Sequence, residues 1–440
     1  MKKYIYKIIF CVALVGTVVS CDVEEFSDLN GPEGSAFEDG LSRGDLQDLI
    51  GGLLYSSRLR LGTYFDDCGV IGREYWRFSG SDPRFTTDLL GGGNAILDNN
   101  TFYITRPWES RYRTVKNANL ILGFFESQDL SANFTAQEIK VTQGLVKTFI
   151  GLDLLLNRNL VDVNGIRIDV SDENNLGPFV SKEAALSAIR GILNDGASDL
   201  SGAGSFPFVL SDGFDGFDTP GTFLLYNRAI AARVSAYQGD AAGILSALGA
   251  SFFSLGGDLN NGVYYTFSED PTDIINPLFI SEGGSSEAQA RIVQPLFITE
   301  VEAGDTRMSK TLQLDESITL DGLTGDYIVF RYLSNSDAIP AIRNEELILL
   351  YAEANITVNP TEAVVALNVI RNNAGLGDYT GPTDTASLVN EMLNQRRYSL
   401  FAEGHRWIDM RRYGKLGDLP LDRPEDDVWD KFPIPLTENQ

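Results

Sequence analysis

The sequence predicts a mainly α fold assembled from helix pairs. Apolar residues recur at three- and four-residue spacing in one segment after another, the period of a helix with one buried face. Two junctions end one helix and start the next: Gly239-Asp240, and Asn359-Pro360-Thr361-Glu362 with Asn as cap, Pro first and Glu third. The composition is globular, with 43% hydrophobic and 22% charged residues in 440.

The first helix is expected over 41–61, where Leu46, Leu49, Ile50, Leu53 and Leu54 form a stripe. Residues 65–105 are rich in Gly, aromatics and charge, with Gly91-Gly92-Gly93 as a breaker, and read as a long ordered loop. Helical spacing resumes over 108–125 through Trp108, Tyr112, Val115, Ala118, Leu122 and Phe125. Further helices are expected over 136–160 and over 181–200, the latter capped by Ser181. Residues 202–220 form a loop in which Phe206, Phe208, Phe214 and Phe217 are interspersed with Asp212, Asp215 and Asp218. A helix over 223–238 and a second through Ile244, Leu245 and Leu248 follow, then a mixed stretch over 251–338 with strand-like pieces such as 327–330. The last third holds a helix over 341–358, one that restarts at Pro360 and stops at Gly375, and one over 385–401. Ala229, Ala232 and Ala236 before Tyr237, and the run Leu350 to Ala354, resemble tetratricopeptide units, in which small residues sit where two helices cross. They lie too far apart for an uninterrupted array.

The amino end reads as a targeting segment. Lys2, Lys3 and Lys7 precede an uncharged run over 8–19, shorter than the ~20 apolar residues that span a bilayer. Val18-Val19-Ser20-Cys21 resembles a bacterial lipobox, which makes Cys21 the lipid attachment site, and Asp22-Val23-Glu24-Glu25 resembles the surface-export signal of Bacteroidetes lipoproteins. The expected organisation is a signal over 1–20, an acidic tether over 21–40 and a single domain over 41–440, with loop-rich insertions near 62–107, 201–220 and 251–340. Cys11 leaves with the signal and Cys21 takes lipid, so Cys68 has no disulfide partner and reads as a buried apolar residue.

Charge excludes whole classes of partner. Lys and Arg number 35 against 61 Asp and Glu, a net charge of −26, which repels nucleic-acid phosphate. An anionic polysaccharide is disfavoured for the same reason, unless arginine is locally concentrated. His405 is the one histidine, has no metal-binding pattern around it, and reads as a structural imidazole beside Arg406 and Asp409. Acid pairs such as Asp66-Asp67, Glu345-Glu346 and Asp426-Asp427 carry no sign of the about 5–9.5 Å cleft spacing a glycosidase needs. Asp162, Asn164 and Asp169, or Asp212, Asp215 and Asp218, offer calcium only an incomplete set of oxygens. No cofactor is expected.

The most specific stretch lies near the carboxyl end. Arg343-x-x-Glu346 enters Leu349-Leu350-Tyr351-Ala352-Glu353-Ala354; Leu367-Asn368-x-Ile370-Arg371, Ala374-Gly375-Leu376 and Arg396-Arg397 follow; then comes Phe401-Ala402-Glu403-Gly404-His405-Arg406-Trp407-Ile408-Asp409-Met410-Arg411-Arg412, and finally Phe432-Pro433-Ile434-Pro435. Upstream, Trp108-x-x-x-Tyr112 with Asn117-Ala118-Asn119, and Glu302-x-Gly304-Asp305-x-Arg307, add to the pattern. Together these resemble the SusD/RagB family of nutrient-binding outer-membrane lipoproteins of starch-utilisation type. The resemblance implies four tetratricopeptide-like helix pairs on one side and an irregular, loop-rich ligand-binding face on the other. It also implies a SusC-like TonB-dependent outer-membrane transporter as partner, and no catalysis.

The expected function is therefore that of a lipid-anchored outer-membrane protein at the cell surface, which captures a glycan or other nutrient oligomer and hands it to that transporter. Sugars present apolar C–H faces to flat rings and hydroxyls to Asp, Asn and Arg. The cluster expected to do this is Asp66, Asp67, Arg73, Tyr75, Trp76 and Arg77, with Tyr264-Tyr265 second and Phe214 with Phe217 third. The alternatives are a peptide ligand, a lid subunit with little affinity of its own, and, less favoured, a lipid-anchored glycoside hydrolase.

Overall fold

A computed structural model describes residues 40–202 and 204–439. The expected signal over 1–20, the lipid site Cys21 and the tether over 21–39 lie outside the described residues. Helix α1 (Arg43–Arg58) opens on a capping box: the Ser42 hydroxyl accepts from the Asp45 N–H, and the Asp45 carboxylate from the Ser42 N–H. Its stripe Leu46, Leu49, Ile50 and Leu53 is buried.

Helix α2 (Leu61–Ile71) falls largely in the stretch expected to be loop. The reason is burial on every side. Asp66, Asp67, Cys68 and Gly69 are as buried as Phe65 and Val70, so no apolar stripe marks the helix. Gly69 is where the chain passes the Tyr75 ring; a Cβ there would lie 2.5 Å from it.

Helix α3 (Phe102–Ser127) begins upstream of the Trp108 start read from spacing, because Pro107 sits inside it. The Ile104 and Thr105 N–H groups already bond the Thr101 carbonyl, so a turn forms before the proline. Helix α4 (Ala136–Val161) packs along α3 and against α5 (Lys182–Leu200), which packs on α6 (Pro220–Tyr237). Helix α7 (Ala241–Gly249) folds back on α6 after the Gly239 turn, its start capped by Asp240. After the short α8 (Pro295–Thr299), helices α9 (Asn344–Val358), α10 (Pro360–Asn373) and α11 (Thr385–Ser399) pack together around Ile348, Leu349, Leu367, Ile370 and Met392. Because α7 also packs on α9, the helix pairs continue across the mixed stretch in space though not in sequence. Helix α12 (Arg406–Arg412) lies against α2. No helix among the described residues is long and apolar enough to cross a membrane.

The non-helical side is built on short strands: β1 (Tyr75–Ser79), β2 (Ile166–Arg167), β3 (Phe179–Val180), β4 (Gly262–Tyr265), β5 (Gln289–Val293), β6 (Thr311–Leu320), β7 (Leu323–Val329) and β8 (Ile339–Arg343). One four-stranded sheet has the order β1-β5-β7-β6, antiparallel throughout, and sets Tyr75 opposite Val293 and Arg77 opposite Arg291. The pair β4-β8 runs directly into α9. Residues 420–438 then cross back over these elements. Asp422 accepts from the Trp76 indole at 2.7 Å, and the Asp427 N–H donates to the Leu90 carbonyl. The Phe432 N–H donates to Leu160, the Leu436 N–H to Asn99, and the Trp108 indole to the Glu438 carboxylate. Residues 41–440 thus form a single compact unit.

Candidate functional site

Side chains of β1 alternate between two faces. Tyr75 and Arg77 point toward α2; the Trp76 and Phe78 rings stack with each other on the far side. Arg77 lies 3.6 Å from the Asp66 carboxylate, but that carboxylate is already held by Arg291 through two bonds of 2.7 and 2.8 Å. Two guanidinium groups therefore share one acid. Burial, then the Arg291 charge, lowers the Arg77 pKa, and its guanidinium rests over the Phe85 ring, 5.5 Å from the centroid.

After β1 the chain turns at residues 80–82. Asp82 caps a single helical turn, Pro83–Phe85, by accepting the Arg84 N–H, and takes the Arg84 guanidinium at 2.8 and 2.7 Å. The bond from Arg84 holds the Asp82 carboxyl below the usual carboxylate range. Phe85 packs on Phe102, the first residue of α3, with centroids 4.7 Å apart. Two guanidinium groups lie over Phe102: Arg84 at 5.0 Å and Arg106, one turn along the helix, at 5.3 Å. Phe85 and Phe102 are half-buried, while Arg84 and Arg106 are exposed. Arg106 makes no ion pair or hydrogen bond with any described residue. Stacking fixes the plane of a guanidinium and leaves the N–H groups on its edge free to donate, which suits a planar or tetrahedral oxyanion.

Most of the residues expected to bind ligand are elsewhere in the packing. Asp66, Asp67, Arg73, Tyr75 and Trp76 are all buried, so they form no exposed platform. Arg73 donates to the backbone carbonyls of Val70, Leu90, Pro420 and Asp427. Asp67 is fully buried with neither oxygen hydrogen-bonded, and burial, with the charge of Asp66, pushes its pKa well up. The Tyr75 hydroxyl is bound between the Phe65 carbonyl and Asp66. Trp76 anchors Asp422 instead of meeting solvent. Tyr265 is buried; Tyr264 is half-buried and donates to the Asn260 carbonyl. Phe214 and Phe217 are core, the former in a cluster with Phe149, Phe223 and Tyr226. Of the first cluster only Arg77 reaches the surface patch. Sequence reasoning missed Arg84, Phe85, Phe102 and Arg106. The available signal was Phe102 and Arg106 at helical i, i+4 spacing, hidden by the late helix start assigned at Trp108.

With this geometry in view, residues 328–434 match the SusD family model. Over that segment the chain is similar to the SusD family. Over 124 residues it is 32% identical to the SusD-like protein P38 of Formosa agariphila, a match that covers 26% of this chain and 22% of that protein. The chain thus spans about a fifth of the length of the curated relative it matches. Among solved structures it is similar to a SusD superfamily protein from Bacteroides vulgatus (TM-score 0.69, 17% identity, 90% of this chain and 97% of that one). It is also similar to a laminarin-binding SusD-like protein (TM-score 0.61, 16% identity, 89% and 97%). At these identities the structural likeness is one of fold.

The segment matched by that family model contains a dense charge cluster, and it is internal. Asp409 accepts from Arg396 at 2.6 Å and from Arg412 at 2.9 Å, and Arg412 also pairs with Glu353. Burial opposes ionisation, yet Arg396 and Arg412 hold the Asp409 carboxyl down to about 2. Glu403 pairs with Arg343 and Arg331 and is likewise held at about 2 against burial. Arg233 grips Glu346 through two bonds of 2.7 and 2.6 Å. His405 sits 3.8 Å from Glu346. Burial depresses its pKa to about 4, so the imidazole is neutral at pH 7. Beside it is a cavity of about 30 Å³ lined by Tyr64, Asn159, Arg233 and Glu403, room for one water. Gly404, at φ +77°, has backbone a side chain rarely adopts, and a Cβ there would crowd the Phe65 ring at 3.0 Å. The cluster locks α12 to α9 and α11, with every acid matched to arginine.

Proposed function

We propose that this chain is a cell-surface lipoprotein, anchored in the outer membrane through Cys21, that binds glycan and passes it to a SusC-like TonB-dependent transporter. The observation that carries the reading is the pairing of a SusD fold, shared with a laminarin-binding protein, with a surface patch of stacked rings and free guanidinium edges at Arg84, Phe85, Phe102 and Arg106. The patch lies where the chain passes from β1 through the Pro83–Phe85 turn into α3. The proposal assigns no bond-making step to any residue and no cofactor.

Calorimetry and affinity electrophoresis of the full-length chain against neutral and acidic glycans and a set of oligopeptides test it. Saturable glycan binding, weakened when Arg84 and Arg106 are both replaced by Gln, is the expected result. Binding confined to oligopeptides would overturn the glycan assignment. Co-purification with a TonB-dependent transporter from the native membrane tests the partner, and mass spectrometry of the mature amino terminus tests lipid on Cys21.

A further inference from the structure

We infer that the patch reads negatively charged sugars, those carrying a carboxylate or a sulfate ester. The inference rests on the glycan-binding reading above and adds the ligand's chemical class.

Whole-chain charge argues against such a ligand, since −26 sets up a repulsive field. The patch is a local exception in how its arginines are partnered. Arg77, Arg84 and Arg291 pair with Asp66 or Asp82, whereas Arg106 forms no ion pair with any described residue. Asp88 accepts from the Tyr103 and Thr87 hydroxyls. The unpaired guanidinium is also placed at the outside. Arg291 is buried and Arg77 half-buried, whereas Arg84 and Arg106 are exposed. Arg84 uses Nε and one terminal nitrogen on Asp82, and its Nη1 bonds no described residue. All the donors of Arg106 are free of described partners.

Ring geometry separates a charged from a neutral ligand. A neutral sugar stacks its C–H face on an open aromatic face. Here the rings are covered: Phe102 carries two guanidinium groups and packs on Phe85 and Tyr103, and Phe85 carries Arg77. What the patch offers solvent is the Arg84 Nη1 and the Arg106 guanidinium, both lying over the Phe102 ring. That is a fork for an oxyanion.

The test compares matched pairs on the full-length chain by calorimetry: polygalacturonate against its fully methyl-esterified form, and dextran sulfate against dextran. Each pair keeps the backbone and changes only the charge. The expected result is affinity for at least one charged member about tenfold or more above its neutral partner, falling as salt is raised. Which pair responds identifies carboxylate or sulfate. Arg106→Gln should weaken charged-glycan binding by about tenfold, and Arg84→Gln with Arg106→Gln by more, with unchanged thermal unfolding. Equal affinity for charged and neutral members overturns the inference. So does charged-glycan affinity that survives the double substitution. Neutral-glycan binding lost in the double variant would overturn the charge preference and leave the glycan reading intact. Silence toward every glycan would overturn both.

Discussion

The two arginine-rich regions of this molecule differ in what surrounds each guanidinium. In the 396–412 segment every buried arginine finds a carboxylate, a backbone carbonyl or an aromatic ring; Arg411, for example, stacks on Trp407 at 4.6 Å and donates to the Asn159 carbonyl. Around 77–106 Arg77, Arg84 and Arg106 lie on rings, and Arg106 forms no ion pair with any described residue. The first arrangement is a bolt; the second leaves the Arg106 donors unpaired at the surface. Residue type does not separate them. Counting the acceptors within reach of each guanidinium does.

The sharpest way to break this comparison is Asp409→Ala. It strands Arg396 in the interior and leaves Arg412 with Glu353 as its one acid, at a cost of about 3–5 kcal/mol. Chemical denaturation should show a large drop in midpoint; a wild-type midpoint would mean the segment is no bolt. Glu74→Gln should act in the opposite direction. Burial raises the Glu74 pKa from 4.5 to about 8, and one of its oxygens is unbonded while the other accepts the Ala402 N–H. A raised acid pKa means this site costs nothing below about pH 4.5 and loses stability as pH climbs toward 8. The substitution should stabilise by on the order of 2–3 kcal/mol at pH 8 and by nearly nothing at pH 4. Equal shifts in melting temperature at both pH values would discard that account. Trp76→Phe keeps the ring and removes the bond to Asp422, so about 1 kcal/mol should be lost with no change in glycan affinity. A drop in affinity would return Trp76 to the ligand site. Arg106→Gln is the mirror case: stability within about 0.5 kcal/mol of wild type, and binding weakened.

How far the sequence could be read follows the same division. Helix α1 and the α9-α10 turn were legible, because a one-sided apolar stripe and the Asn359-Pro360 restart both survive as local signals. The motif around His405 was legible as a family mark and as structure. Helix α2 was not, since a helix buried all round has no period to detect. The ligand cluster placed at 66–77 failed for a related reason. Aromatic and charged residues in a Gly-rich stretch look like an exposed loop, but here they are covered by residues 420–438, which lie hundreds of positions away. The patch at 84–106 needed two separate local structures, the Asp82-capped turn and the first turn of α3, to be brought together by the fold.

That covering segment also fixes a timetable. The bonds from Arg73 to Asp427 and from Trp76 to Asp422 join residues 354 and 346 positions apart. Until the ribosome has made residues 420–438, the strand-and-loop side lacks the strap that closes it, and contacts over such separations form slowly. The strand around Trp76 and the Arg73 turn before it therefore wait for the end of synthesis to gain these bonds, whereas the helices over 102–249 pack on neighbours made just before them.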